Sequence, residues 1–172
     1  MTPLLTPSHD LSALIQDPPG PPLLLRRMQQ LPRRTQQMLL YSRLDALPYP
    51  TIAQRMNTSL GQVETTLQTA LCACCEPLLP AQIMAIHWYV KLQSPSTTAS
   101  ERIDFRRWLD SASAHLAAFH ATELQWQQLL APATVLGSDR WHHRARQGLG
   151  RRGWMTAVLA LALALELVSQ TL

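Results

Sequence analysis

The stretch Thr51-Ile52-Ala53-Gln54-Arg55-Met56-Asn57-Thr58-Ser59-Leu60-Gly61-Gln62-Val63 carries two helices and the turn between them. Where two helix axes cross closely, the first helix needs a small residue at the contact. The turn then needs a residue that tolerates left-handed dihedrals, and the second helix an apolar residue facing back. Ala53, Asn57 and Val63 stand at that spacing, so the stretch reads as a helix-turn-helix. Pro50 suits the first turn of a helix ending at Met56, and Ser59 with Gln62 forms the capping box of a helix running to about Cys72. Ile52, Met56, Leu60 and Leu67 supply the remaining apolar contacts. Gln62, Glu64, Thr65, Thr66, Gln68 and Thr69 are left on the outer faces of the second helix and, with Ser59 at its start, are the candidate DNA-reading residues.

Outward from this motif, Pro32 opens an earlier helix in which Met38, Leu39, Tyr41 and Leu44 share a side. Arg33, Arg34, Arg43 and Arg55 are placed as candidate phosphate contacts. The outer face of the second helix has no Lys or Arg, so spacing alone also admits a three-helix packing unit that touches no DNA. Before it, Pro3, Pro7, Pro18, Pro19, Pro21 and Pro22 with Gly20 remove many amide donors, and residues 1–30 read as a Pro-rich, linker-like arm.

The whole chain supports an all-α fold. Of its 172 residues 47% are apolar but only 6% aromatic, so the core is built mainly from Leu and Ala, a helix-forming vocabulary. The net charge of +4 favours polyanionic partners. It is unevenly spread: residues 1–75 carry +2, residues 76–135 carry −1 and residues 136–172 carry +3. Cys72, Cys74 and Cys75 form one odd cluster without a second ligand pair, which reads as half-buried thiols at a helix end and not as a zinc or disulfide site. His142-His143 belongs to a basic cluster and is not read as a ligand pair. With no phosphate loop, paired catalytic carboxylates or Ser-His-Asp set, the expectation is a binding protein and not an enzyme, with no cofactor and no small-molecule substrate.

Beyond Pro77-Leu78-Leu79-Pro80, residues 81–130 form a second segment with its own vocabulary. Thr98 and Glu101 make a capping box, after which Phe105, Trp108 and Leu109 share a helix face. Trp88, Leu92, Trp108, Phe119 and Trp126 recur at helical spacing across three stretches. Core packing is the plain role of such aromatics, which would staple a small helical domain.

Residues 154–172, beginning Trp154-Met-Thr-Ala-Val-Leu-Ala-Leu, follow the basic residues 131–153 that hold Arg140, Arg144, Arg146, Arg151 and Arg152. At roughly 1.5 Å per residue this run spans about 28 Å, close to the hydrocarbon thickness of about 30 Å. It reads as a membrane helix, interrupted by Glu166, with the arginines holding the N-terminal side in the cytoplasm. The other reading is a C-terminal helix buried against the rest of a cytoplasmic protein.

Two resemblances join these parts. Leu31-Pro-Arg-Arg-Thr-Gln-Gln-Met-Leu-Leu-Tyr-Ser-Arg-Leu-Asp-Ala-Leu-Pro-Tyr-Pro-Thr-Ile-Ala-Gln-Arg-Met-Asn-Thr-Ser resembles region 4 of extracytoplasmic-function sigma factors of the FecI-like iron-uptake group. The resemblance implies that residues 31–75 read the minus-35 promoter element and touch RNA polymerase, although Glu64 stands where such helices usually place Lys. Residues 1–30 leave no room for region 2, so a complete sigma factor is not expected. Ala85-Ile-His-Trp-Tyr-Val-Lys-Leu, Ser100-Glu-Arg-Ile-Asp-Phe-Arg-Arg-Trp-Leu and Ala114-His-Leu-Ala-Ala-Phe-His-Ala-Thr-Glu-Leu-Gln-Trp are similar to the N-terminal cytoplasmic domain of FecR-type regulators. That similarity implies a module that binds a FecI-like sigma factor, with Trp88, Leu92, Trp108, Phe119 and Trp126 as partner-binding residues, followed by a basic linker and one inner-membrane helix.

The expected protein is an all-α transcription regulator that joins a DNA-binding module to a membrane-anchored sigma/anti-sigma interaction domain. The alternative is a module that binds a sigma factor only and keeps the helix-turn-helix as a relic. The short connection also predicts packing in cis, with Leu79, Ile83 and Ile86 at the junction and the first tryptophan-domain helix against the recognition helix near Leu71.

Overall fold

The computed structural model describes residues 20–75 and 78–144, and among these the regular structure is helical. Eight α-helices follow in order: α1 (Pro21–Gln30), α2 (Arg33–Arg43), α3 (Tyr49–Met56), α4 (Leu60–Cys74), α5 (Pro80–Leu92), α6 (Ala99–Ser111), α7 (Ser113–Gln128) and α8 (Leu130–Leu136). Residues up to Asp139 form one compact unit. Residues 140–144 belong to a second, in which Trp141–His143 make a single 3-10 turn.

Helix α1 corrects the reading of residues 1–30 as an arm. Pro21 and Pro22 occupy the first two helical positions, where the missing N–H groups have no intrahelical partner to lose. Leu24 and Met28, four residues apart, are fully buried. The helix packs against α4 and α8, so the region 4-like module begins a helix earlier than the apolar spacing after Pro32 suggests. Residues 1–19 lie outside the described residues. Two polar contacts fix the entry into α2. Gln36, buried in α2, donates from Nε2 to the carbonyls of Gln29 (2.9 Å) and Leu31 (2.8 Å), satisfying both amide hydrogens. Arg27 donates from Nη1 to the Cys74 carbonyl at 2.8 Å, a cation placed on the negative end of α4.

The core of this half is aliphatic: Met38, Leu39, Leu40, Ile52, Val63, Leu67 and Leu71 are all buried. In the second half α5 and α7 pack together, α6 lies on α7, and α8 closes against α1 and α2. The expected basic linker, residues 131–153, is thereby corrected at its first six residues, because Leu130–Leu136 is a packed helix with Pro132 and Ala133 buried. The expected membrane helix, residues 154–172, lies outside the described residues. Among the described ones no helix is long and apolar enough to cross a membrane.

The two halves meet in cis, as the short connection predicts, through α4 against α5. Ile86 is buried, but Leu79 and Ile83 are 65% and 48% exposed, which corrects their placement at the junction. Helix α5 runs antiparallel along α4, with Gln68 opposite His87 and Glu64 opposite Lys91.

Candidate nucleic-acid interface

The turn between α3 and α4 has the geometry its residues require. Asn57 sits in the left-handed region (φ 46°), and the Thr58 amide donates to the Ala53 carbonyl at 3.0 Å. Ala53 and Val63 are both buried. Ser59 caps α4, its hydroxyl accepting from the Gln62 amide at 3.2 Å. The return bond of the expected capping box is not formed; the Gln62 side chain instead donates to Thr66 Oγ1 at 3.3 Å.

The outward face at the start of α4 consists of Ser59, Gln62 and Thr65, all exposed, with Thr66 half-buried beside them. Each threonine on this helix bonds back one turn: Thr65 donates to Gly61 O (2.9 Å), Thr66 to Gln62 O (2.7 Å) and Thr69 to Thr65 O (2.9 Å). Their protons are engaged while oxygen lone pairs remain. The threonines therefore offer acceptors, while the Ser59 hydroxyl and the Gln62 amide add donors, a mixed set of the kind that reads base edges in a major groove.

Glu64 and Gln68 point elsewhere. Glu64 is only 12% exposed at its side chain; it lies 3.9 Å from Lys91 Nζ and accepts from Ser96 Oγ at 3.1 Å. Lys91 also pairs with Glu101 at 3.1 Å. The hydrogen bonds from the Thr98 amide, Lys91 and the Thr98 hydroxyl hold the Glu101 carboxyl below its usual range. Gln68 Nε2 meets His87 Nδ1 at 3.3 Å. These two candidates form the flank of α4 that faces α5.

The four candidate phosphate contacts divide similarly. Arg33 and Arg55 are exposed, Arg55 lying over the Tyr41 ring at 5.7 Å. Arg34 is exposed but donates from Nη2 to the Met56 carbonyl at 2.8 Å, at the end of α3. Arg43 is committed to the second half: it donates to Trp126 O (2.7 Å) and Gln127 O (3.1 Å), with its guanidinium 5.5 Å from the Trp126 ring centre. Its carbonyl partners lie at the end of α7, again a cation on a helix C-terminus. Nothing in the sequence spacing shows this link, because the pair is separated by more than eighty residues.

The partner-binding candidates form a connected aromatic strip. Trp88 and Phe105 approach to 5.7 Å, Phe105 and Phe119 to 5.0 Å, Tyr89 and Trp126 to 5.8 Å, and Trp108 stacks on His115 at 4.6 Å. Only Trp88 is buried; Leu92, Trp108, Phe119 and Trp126 are half-buried, and Ile103, Leu116 and Leu124 are exposed. The Trp88 indole N–H is buried without a hydrogen-bond partner among the described residues. Cys72, Cys74 and Cys75 are free thiols. Burial pushes the Cys74 thiol up to about 11 and Cys75 up to about 12, and Cys75 hydrogen-bonds Gln125 of α7.

Comparison with known proteins agrees with this division. No curated protein and no solved structure matches the chain. Two family models do, one in each half of the chain: residues 84–124 match a domain of unknown function, DUF4880, and residues 23–74 match sigma-70 region 4. The boundary at residue 23 falls inside α1, which supports that helix as part of the first module. The chain thus carries a sigma-70 region 4 domain, with the α3–turn–α4 motif as its C-terminal half, followed by a DUF4880 domain.

Proposed function

We propose that this protein is a transcription regulator in which the region 4 domain recognises a minus-35 type promoter element and touches RNA polymerase, and the DUF4880 domain binds a FecI-like sigma factor. The observation that carries the proposal is the open start of α4, where Ser59, Gln62 and Thr65 stand exposed on a helix fixed by the left-handed Asn57 turn. The first residues of a recognition helix are those that reach base edges. The resemblance of residues 81–130 to FecR-type regulators and the half-exposed aromatic strip support a protein partner for the second domain. The arginines at 140–152 and the apolar run at 154–172 support an inner-membrane anchor with the N-terminus in the cytoplasm, in cell-surface signalling of the iron-uptake type.

Fluorescence anisotropy of the full chain on minus-35 type and scrambled duplexes tests the DNA reading. A sequence preference that disappears with Gln62→Ala and Thr65→Ala is expected, with a shallow salt dependence because few cations reach phosphates. Equal binding to both duplexes at low salt would favour the alternative, a sigma-binding module with a relic helix-turn-helix. That second reading draws on the absence of Lys or Arg from the outer face of α4. Fractionation tests the anchor: recovery of the full chain in the soluble fraction without detergent would exclude it.

A further inference from the structure

We infer that Cys72 and Cys75, in the last turn of α4, form a two-thiolate clamp for a soft monovalent metal ion of the Cu(I) type, beside Gln125 of α7. The two thiols are three residues apart and both are half-buried, so solvent reaches them. The Cys75 amide donates to the Cys72 carbonyl at 3.1 Å, an i to i+3 bond that tightens the end of the helix. In such a turn side chains three apart eclipse, and a rise of about 2.0 Å per residue separates their bases by about 6 Å. Cys74 is set apart from the pair: it is fully buried, and its carbonyl accepts from Arg27.

The separation selects the chemistry. A disulfide needs its β-carbons about 3.5–4.5 Å apart, closer than this turn holds them. Metal–sulfur bonds of about 2.3 Å, the length in zinc thiolates, put two sulfurs in line with an ion about 4.6 Å apart. Eclipsed side chains leaning together cover that span without moving the backbone. Two thiolates are too few for tetrahedral zinc but suit Cu(I), which soft sulfur ligands select. The surroundings offer a donor to an ionised sulfur. Cys75 Sγ donates to Gln125 Oε1, while Gln125 Nε2 is buried with no hydrogen-bond partner among the described residues. Exchanging the two ends of that amide turns its N–H toward the sulfur. Burial opposes ionisation of Cys75, whereas Gln125 and the positive charge of Arg27 favour it. Binding converts two thiols and one Cu(I) into a bis-thiolate complex of charge −1 and releases two protons, so affinity rises with pH.

Anaerobic titration of the reduced full chain with Cu(I), in competition with a coloured Cu(I) chelator, tests the clamp. One equivalent is expected to be held, more tightly as pH rises. Cys72→Ser and Cys75→Ser should each weaken binding by about a hundredfold or more, while Cys74→Ala keeps it within about threefold. Gln125→Leu, which removes the donor to the sulfur, should weaken it by about tenfold. Circular dichroism establishes that each variant is folded, and X-ray absorption of the Cu(I)-loaded parent chain counts the sulfur ligands independently of any variant. Two sulfurs are expected; three would overturn the pair. Failure of the parent chain to retain Cu(I) would overturn the site. Equal losses in all three cysteine variants would assign the binding to the Cys-rich run and not to the clamp, and undiminished affinity in Cys72→Ser or Cys75→Ser would exclude that thiol as a ligand and overturn the clamp with it.

Discussion

The two domains solve the problem of a small core differently. In the region 4 domain the aliphatic side chains close on themselves: α2 buries five residues and α4 buries five, Leu67 and Leu71 completely. In the DUF4880 domain α6 buries none and α7 only Ala118 and Thr122, although both carry large aromatics. Aliphatic residues at helical spacing fill the space between crossing helices, whereas of the large rings in the second domain only Trp88 is enclosed. Part of each ring stays in solvent or leans on a neighbour, as Trp126 leans on Arg43. The first domain encloses most of its own aliphatic core, and the second leaves most of its rings half-buried.

That contrast predicts unequal costs for truncation. Leu67→Ala should destabilise the chain by about 2–5 kcal/mol, because a fully buried leucine leaves a cavity. Trp108→Ala, at a half-buried ring that removes more atoms, should cost less than Leu67→Ala. Urea unfolding followed for both variants decides it, and equal losses would break the contrast.

Next in size is the tie between the domains. Arg43→Ala should cost about 1–2 kcal/mol, the scale of charged-donor hydrogen bonds discounted for a half-buried group. A coupling between Arg43→Ala and Trp126→Ala in a double-mutant cycle would place the loss at the domain contact; simple additivity would place it elsewhere.

Helix starts offer a comparison within one chemistry. Ser59→Ala removes the acceptor for the Gln62 amide and Thr98→Ala removes the one for Glu101, so each should cost about 1 kcal/mol. The Thr98 hydroxyl also donates to the Glu101 carboxylate at 3.0 Å, a second bond that alanine removes and that the Ser59 site lacks. Thr98→Ala should therefore be the more damaging, measured by thermal unfolding.

The smallest effect is a pH dependence confined to the second domain. Glu101 is held below its ordinary range in the folded chain, so its ionised form contributes stability above the unfolded value of about 4.3, and that contribution is lost as pH falls through the lowered value. Acid titration of unfolding in Glu101→Gln should lack this component, while Ser59→Ala should retain it.

Much of this arrangement was legible in residues close together along the chain. The Ala53–Asn57–Val63 spacing, the Ser59 and Thr98 caps and the Phe105–Trp108 face all concern groups within a few turns of one another, where backbone geometry alone sets the separation. The same logic misjudged α1, since counting prolines missed that two at the first helical positions are compatible with a helix. It also assigned Glu64 and Gln68 to the DNA-facing surface, because helical periodicity gives a residue's angle around its own axis and not what packs against it.

The sequence by itself determined an all-α fold class, a helix-turn-helix around Asn57 within residues 31–75 and a tryptophan-rich helical segment after it, because propensity, capping and apolar period are local properties. Only the tertiary structure decided which flank of α4 is covered, that Arg43 reaches the end of α7 and that α1 and α8 close against each other. Those are contacts between residues far apart in the chain, selected by the shape of the assembled surfaces and the hydrogen-bonding groups left at helix ends, and no spacing along a single helix encodes them.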